Sequence, residues 1–394
     1  MKRKGFTTLL LVSLLAFLLV FTSACGTKST GEKKSEDVIK IGVNLELSGN
    51  VASFGQSALN GFTLALDEIN AAGGINGKKL EIIKYDNKSD NTEAASVATR
   101  LITQDKVPII FGAVTSGNTM AFINIAEANK VPVLTATATN PDVTVDPKTG
   151  KVREYVFRTC FIDPFQGTAM AKFATEELKV KRAAILKDNT SPYSVGLAKF
   201  FTEGFKAGGG EVVADENFTV NDQDFRSILT KIKNLNPDFI YVPAYYEQVG
   251  QIVKQAREMG INVAFGGSDG WDSPKLIEIA GKDALKNCYI TNHYSPDRDD
   301  PKVKEFVKKY KEKYGNVPDA LAALGYDTGY VLAAALKNAK EITPEAIKDA
   351  LKNVKDVEGV TGKISIDEQH NAKKGLVILE FVDGKQTYKK FIEP

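Results

Sequence analysis

Short β-branched runs alternate with helix-length amphipathic runs along this chain, twice over, and no other feature restricts its fold as much. Val38-Ile39-Lys40-Ile41-Gly42-Val43-Asn44-Leu45 reads as a strand, and 55–71 as a helix with Phe62, Leu64, Leu66 and Ile69 at helical spacing. Gly73-Gly74-Ile75-Asn76-Gly77 ends that helix and turns the chain. Strand 80–85, helix 92–104, strand 107–112, helix 118–129 and strand 131–135 follow. After a break at 140–153 the pattern resumes with helix 165–178, strand 183–187, helix 195–206, strand 211–214, helix 223–234, strand 238–242, helix 247–259 and strand 262–265. Such alternation builds a parallel sheet with helices on both faces. Two runs of it exceed the usual size of one core, and predict an α/β protein of two doubly wound lobes with a hinge and a ligand cleft between them. The tail departs from the rule. Helices at 301–314, 319–338 and 344–353 lack intervening strands, and the end reads as an antiparallel hairpin turning at Asp383-Gly384.

The N-terminus predicts export. Lys2, Arg3 and Lys4 precede an apolar run from Thr8 to Phe21 that is short for a membrane span, and the small residues Thr22-Ser23-Ala24 lead into Cys25. Residues 1–24 therefore read as a signal peptide. Cys25 after a small-residue site is similar to a lipoprotein lipobox, with Thr22 where Leu is commoner. Acylation of its thiol and of its new amine would give the two or more chains that stable anchoring needs. Residues 25–37 carry no large apolar side chain and read as a flexible tether. Loss of residues 1–24 removes three of the positive charges, so the formal net charge of +2 becomes about −1. A nearly neutral exported domain gives no ground for nucleic-acid binding. No cofactor is expected. Cys160 and Cys288 lie far apart in apolar runs and read as packed small hydrophobes, with their pairing left open. His293 and His370 are the only histidines and neither is spaced with a cysteine as a zinc ligand would be, so no metal site is expected.

Ligands of doubly wound sheets sit beyond the carboxyl ends of the strands, often at helix N-termini. After strand 107–112 comes Gly112-Ala113-Val114-Thr115-Ser116-Gly117-Asn118, which has P-loop glycine spacing but Asn118 where the phosphate-binding Lys belongs. What remains suits one carboxylate, held by Ser116 and exposed amides. Ala136-Thr137-Ala138-Thr139-Asn140-Pro141 adds hydroxyls after the next strand. In the second run the corresponding loops offer Tyr193, Tyr245 and Tyr246, and Asp269 beside Trp271. Hydroxyls and helix termini from one half thus face a carboxylate and phenols from the other, a set able to hold a carboxylate at one end and an ammonium at the other. An exported hydrolase competes with this reading. Gly266-Gly267-Ser268-Asp269-Gly270 fits the G-x-S-x-G elbow, but it lacks an oxyanion segment and needs His293 or His370 within reach of Ser268.

These loops, in this order, resemble the branched-chain amino acid (leucine/isoleucine/valine-type) substrate-binding proteins of ABC transporters over essentially the whole exported chain. The segments that carry it are Gly73-Gly74-Ile75-Asn76-Gly77-Lys78-Lys79-Leu80, Tyr85-Asp86, Gly112-Ala113-Val114-Thr115-Ser116, Ala138-Thr139-Asn140-Pro141, Phe157-Arg158-Thr159, Gln251 with Ala256-Arg257, and Gly267-Ser268-Asp269-Gly270. The resemblance implies a type I periplasmic-binding fold with three hinge crossings, and lobes at 38–161 with 294–356 and at 162–293 with 357–394. It implies that Ser116, the Thr139 amide and the Tyr245 hydroxyl hold an α-carboxylate. The Thr137 carbonyl, the Thr139 hydroxyl and Asp269 would hold the α-ammonium. Phe54, Val114, Thr115, Tyr193 and Leu321 would surround the side chain, with Trp271 and Tyr326 in reach. Asp269 stands where the family often has Glu, Phe54 where it often has Tyr, and Leu321 where a larger aromatic is usual. The implied protein is no enzyme. It is a monomeric lipoprotein, anchored outside the cell membrane, that delivers an amino acid to a permease and ATPase; an amino-acid sensor or receptor component on the same fold is the alternative.

Overall fold

The computed structural model describes residues 38–394; the expected signal peptide, Cys25 and the expected tether lie outside the described residues. Two sheets dominate it. The first has strands β1 (Val38–Leu45), β2 (Lys79–Asp86), β3 (Ile110–Gly112), β4 (Val133–Thr135) and β5 (Val156–Arg158), in the order β2-β1-β3-β4-β5 and parallel throughout. Helices α1 (Ala52–Ala71), α2 (Asn91–Thr103) and α3 (Ser116–Ala128) connect them.

The second sheet follows α4 (Asp163–Glu176). Its parallel part comprises β6 (Arg182–Asp188), β7 (Glu211–Phe218), β8 (Phe239–Tyr241), β9 (Ala264–Gly267) and β10 (Cys288–Asn292), linked by α5 (Pro192–Ala207), α6 (Arg226–Asn234), α7 (Tyr246–Glu258) and α8 (Pro274–Ala280). The chain then returns to the first sheet through α9 (Pro301–Tyr314), α10 (Ala320–Asn338) and α11 (Pro344–Lys352). It crosses back by the small hairpin β11 (Val357–Gly359) and β12 (Gly362–Ile364). The antiparallel pair β13 (Leu376–Val382) and β14 (Lys385–Ile392) completes the order β14-β13-β10-β9-β8-β6-β7.

In both sheets the first strand has the second on one side and the third on the other. This reversal of direction opens a crevice at the carboxyl ends of the strands, which is where such folds bind ligands. Helix α10 is apolar nearly all round and almost wholly buried, as a helix inside a core must be. It lies against α1 at backbone contact. A Cβ on Gly61 would fall 1.8 Å from the Ala322 carbonyl oxygen, and one on Gly325 would fall 2.2 Å from that of Ala58. That close approach carries Leu321 to the crevice.

The expected alternation holds, with shifts at the ends. Helices α3 and α5 begin earlier than their apolar periodicity shows, because Thr115 and Ser191 cap them and Pro192 supplies the first turn of α5. Strands β5, β11 and β12 carry only three residues each, too few for a period-2 pattern to register. Cys160 and Cys288 are both buried free thiols, and burial pushes the pKa of each up to about 12.

Candidate functional site

A small cavity lies where the carboxyl ends of the two sheets face each other. From the first sheet, Phe54 on α1, the turn Val114-Thr115-Ser116 after β3 and Thr137 after β4 line it. From the second come Tyr193 at the start of α5, Tyr245 before α7, and Asp269-Gly270 after β9. His293 follows β10, and Leu321 and Leu324 of α10 close the apolar side.

The turn after β3 is held from beneath by Glu46, a fully buried carboxylate just past β1. Its oxygens accept from the Val114 amide at 3.0 Å, the Thr115 amide at 2.9 Å, and the Thr115 hydroxyl and Asn118 Nδ2 at 3.0 Å each. Burial raises its pKa, with the two amide bonds opposing the rise. Thr115 Oγ1 also caps α3 at the Asn118 amide. The first amides of α3, at Ser116 and Gly117, have no intrahelical acceptor by geometry, and the helix dipole adds to their attraction for an anion. Ser116 Oγ beside them accepts from the Asn140 amide at 3.2 Å.

The loop after β4 is fixed by Arg158, whose buried guanidinium donates to the carbonyls of Ala138 at 2.6 Å and Asn140 at 2.9 Å. Thr137 Oγ1 donates to the Val114 carbonyl at 2.7 Å, locking this loop to the previous one. Thr139, expected to hold the head group, does not line the cavity. It is fully buried, and its hydroxyl completes no well-formed hydrogen bond although it lies near enough to Asp163 to lower that group's pKa.

Opposite stands Asp269. Its Oδ1 accepts from the Tyr193 hydroxyl at 2.6 Å and Gln166 Nε2 at 3.1 Å, and its Oδ2 faces His293 Nε2 at 3.0 Å. Gln166 also donates to Asp163 at 2.9 Å. Burial, with the Asp269 charge adding to it, pushes the pKa of Asp163 up to about 7. Burial, and next the Asp269 charge, keep the Tyr193 phenol protonated well above its ordinary value, and Tyr245 likewise. The two phenol rings stack at 4.9 Å, and Phe54 packs edge-on against Tyr245 at 5.7 Å. Gly270 is required here, since a Cβ would lie 2.8 Å from both the Tyr193 hydroxyl and the Ala244 carbonyl.

Two expectations are corrected. Trp271 does not reach the cavity: it is fully buried, with Nε1 donating to the Val242 carbonyl at 2.8 Å and its ring packed near Phe381. Tyr326 points the other way along α10, its hydroxyl on Glu68 at 2.9 Å. Tyr193, expected as a wall, is also a donor to Asp269. Ser268 has Tyr193 as its partner at 2.7 Å, while His293 is bonded to Asp269 and His370 to the Val156 carbonyl at 3.0 Å. The nucleophile–base pair of a hydrolase is therefore not formed. Glu46, Asp163 and Gln166 were not singled out from the sequence as parts of the site, and His293 only as a partner for Ser268. Glu46 left one signal, a lone acid directly after an apolar strand that ends at the crevice.

The arrangement offers amides, a helix N-terminus and hydroxyls at one end, a carboxylate at the other, and Phe54, Val114, Leu321 and Leu324 between. A small zwitterion with an apolar side chain meets all three demands.

The family model described as "Periplasmic binding protein" matches residues 38–386. The Leu/Ile/Val-binding protein of Escherichia coli K12 is 32% identical over 335 residues, 85% of this chain and 88% of the relative. A leucine binding protein from Thermotoga maritima superposes with a TM-score of 0.85 at 39% identity, covering 91% of this chain and 99% of that one. The branched-chain amino acid transporter substrate binding protein of Streptococcus pneumoniae, solved with isoleucine, gives 0.85 at 40% identity, with coverage of 91% and 100%. The type I periplasmic-binding architecture expected from the loops is thus the one observed. The chain belongs to the periplasmic binding protein family, among the leucine/isoleucine/valine-type substrate-binding proteins of ABC transporters.

Proposed function

We propose that this protein captures a neutral, branched-chain-type amino acid outside the cell membrane and delivers it to the permease and ATPase of an ABC importer. The observation that carries the reading is the opposition of the α3 N-terminus and Ser116 to Asp269 across one apolar-walled cavity. Ser116, the first amides of α3 and Tyr245 take the α-carboxylate. Asp269 and the Thr137 carbonyl take the ammonium, and Phe54, Val114, Thr115, Tyr193 and Leu321 surround the side chain. Burying a zwitterion costs several kcal/mol unless both charges are paired, so only the closed cleft satisfies both ends. The moving parts are lobes at 38–161 with 294–356 and at 162–293 with 357–394. Contacts across the rim support closure: Ser53 Oγ lies 2.8 Å from Ser273 Oγ, and Asn140 Nδ2 donates to the Pro192 carbonyl at 2.8 Å.

Calorimetric titration of ligand-stripped protein with each common amino acid tests this. Binding of leucine, isoleucine or valine, with failure of their amides and decarboxylated amines, is expected; indifference to every amino acid overturns the reading. We place the protein on the outer face of the membrane, held by diacylglyceryl-Cys25. Mass spectrometry of the membrane-extracted protein should find a diacylglyceryl-modified Cys25 at its N-terminus, and an unmodified Cys25 would sink the anchor.

A further inference from the structure

Asp269 already has three protein donors, two on Oδ1 and one, His293 Nε2, on Oδ2. A carboxylate has about four acceptor positions. Oδ1 is therefore filled, and Oδ2 has room for one further donor beside the imidazole. On the amino-acid reading above, on which this inference rests, that donor is the ligand's ammonium. Ligand and His293 then share a single oxygen.

His293 is placed to feel both the ligand and the hinge. It stands at the second crossing between the sheets, lines the cavity, and is 3% exposed. Its ring stacks on Phe161 of the first crossing, with centroids 3.6 Å apart and planes at 17°. Its Nδ1 is buried with no hydrogen-bond partner among the described residues. The other donors to Asp269, a phenol and an amide, cannot become cations.

We propose that His293 sets the acid limit of ligand capture. Neutral, it donates through Nε2 and orients Asp269 toward the ammonium. Protonated, it becomes a buried cation that neutralises the carboxylate and repels the ammonium. No covalent step is involved, only one proton taken up from solvent as the amino acid leaves. The groups that face His293 are Asp269 from the turn after β9, Asp163 from α4 through Gln166, and Lys374 from the segment before β13, whose charge opposes a second cation. On its own strand Asn292 holds Asp272 at 2.8 Å. Burial places the imidazole below its ordinary value while Asp269 pulls it up, so at neutral pH it is uncharged. Ligand binding and deprotonation then favour each other. Affinity should fall as pH drops through the value of the free protein, by at most about tenfold per pH unit for one proton. A neutral amino acid stays zwitterionic across this range, so the slope reports on the protein.

The test is calorimetry of the purified protein with leucine and isoleucine from pH 8 to 4.5, repeated on His293→Gln, His293→Leu and Asp163→Asn. Wild type should lose affinity on acidification. His293→Gln, which keeps a donor but cannot titrate, should bind a few-fold more weakly than wild type at pH 8 with a flat profile, and more tightly than His293→Leu. Asp163→Asn removes the group that titrates near 7 and should still lose affinity at lower pH, where His293 takes up its proton. A flat wild-type profile, or a slope that survives in His293→Gln, overturns the proposal alone. No amino-acid binding by wild type at pH 8 overturns it together with the function it rests on. Substitution beneath Phe161 can unfold the chain, so a second measurement needs no variant. The protein contains two histidines, and NMR titration of their ring protons should show saturating leucine lowering the pKa of one of them. Unchanged titration of both overturns the proposal.

Discussion

The two ends of the cavity are made of different materials. At the α3 end the polar groups are backbone amides, the Ser116 hydroxyl and the Tyr245 phenol, whose pKa burial drives far above the physiological range. The one acid there, Glu46, lies beneath the turn with its oxygens occupied by the amides of Val114 and Thr115. At the Asp269 end three ionisable groups, Asp269, Asp163 and His293, are linked through Gln166 and direct contact. The first end is built mainly of amides, hydroxyls and a helix N-terminus, with its one acid held beneath the turn. The second is a small titrating network, and the ligand adds one more charge to it. Affinity is shared between the ends, while the linked titrating groups belong to one.

The largest expected effect separates them directly. Asp269→Ala removes the only full charge proposed to meet the ammonium and leaves it buried and unpaired. We expect a loss of roughly 2–5 kcal/mol in binding free energy. Calorimetry with leucine checks it, and an unchanged affinity would move the ammonium site elsewhere.

Next comes stability. Asp163 has its pKa raised from 3.8 to about 7. The folded chain therefore holds a proton that the unfolded chain has lost, and stability falls as pH rises from about 4 to about 7, then levels off. Asp163→Asn keeps an acceptor for Gln166 and removes the titration. Each tenfold difference in proton affinity between the folded and unfolded chains is worth ~1.4 kcal/mol. The stability of the variant relative to wild type should therefore grow by roughly 2–4 kcal/mol between about pH 4 and pH 8. Urea midpoints across that range decide it. Parallel curves for the two proteins would mean that Asp163 ionises freely.

The sequence made the two ends unequally visible. Residues that act through where they stand in the strand–loop–helix alternation, such as Ser116, Thr137, Tyr193, Tyr245 and Asp269, were legible because each follows a strand or opens a helix at the crevice. Residues that act through partners distant in sequence were not. Glu46 reaches Thr115 across 69 positions, and Gln166 reaches Asp269 across 103. Asp163 looks like an ordinary first-turn acid before Pro164, and His293 like a polar residue leaving a strand. Nothing local distinguishes a buried titrating network from solvated side chains. Trp271 and Tyr326 failed for the converse reason: closeness in sequence to Asp269 and Leu321 suggested the cavity, but the 3₁₀ turn Asp269–Trp271 rotates the indole into the core, and helical periodicity aims Tyr326 at Glu68.

Ser116→Ala probes the first end. It deletes one neutral donor while the α3 amides and dipole remain, so the loss should be about 1 kcal/mol, roughly fivefold in affinity. The pH profile of the variant should run parallel to that of wild type. A changed slope would mean that the two ends are electrostatically coupled.

The smallest effect tests the contact between the ends. Phe54, from the first sheet, meets Tyr245 and Tyr246 of the second edge-on, with centroids 5.7 and 4.9 Å apart. These contacts exist only when the rims meet, so they favour the closed cleft whether or not a ligand is inside. Phe54→Leu keeps an apolar wall but loses the edge-to-face geometry, worth roughly 0.5–1.5 kcal/mol. If the aromatic contact stabilises closure, affinity should drop by that amount through faster dissociation, with association little changed, as stopped-flow fluorescence of Trp271 would report. A loss confined to bulky ligands would instead make Phe54 a wall of the side-chain pocket and nothing more. The pH slope should be untouched in either case, because Phe54 contributes no charge to the end of the cavity that titrates.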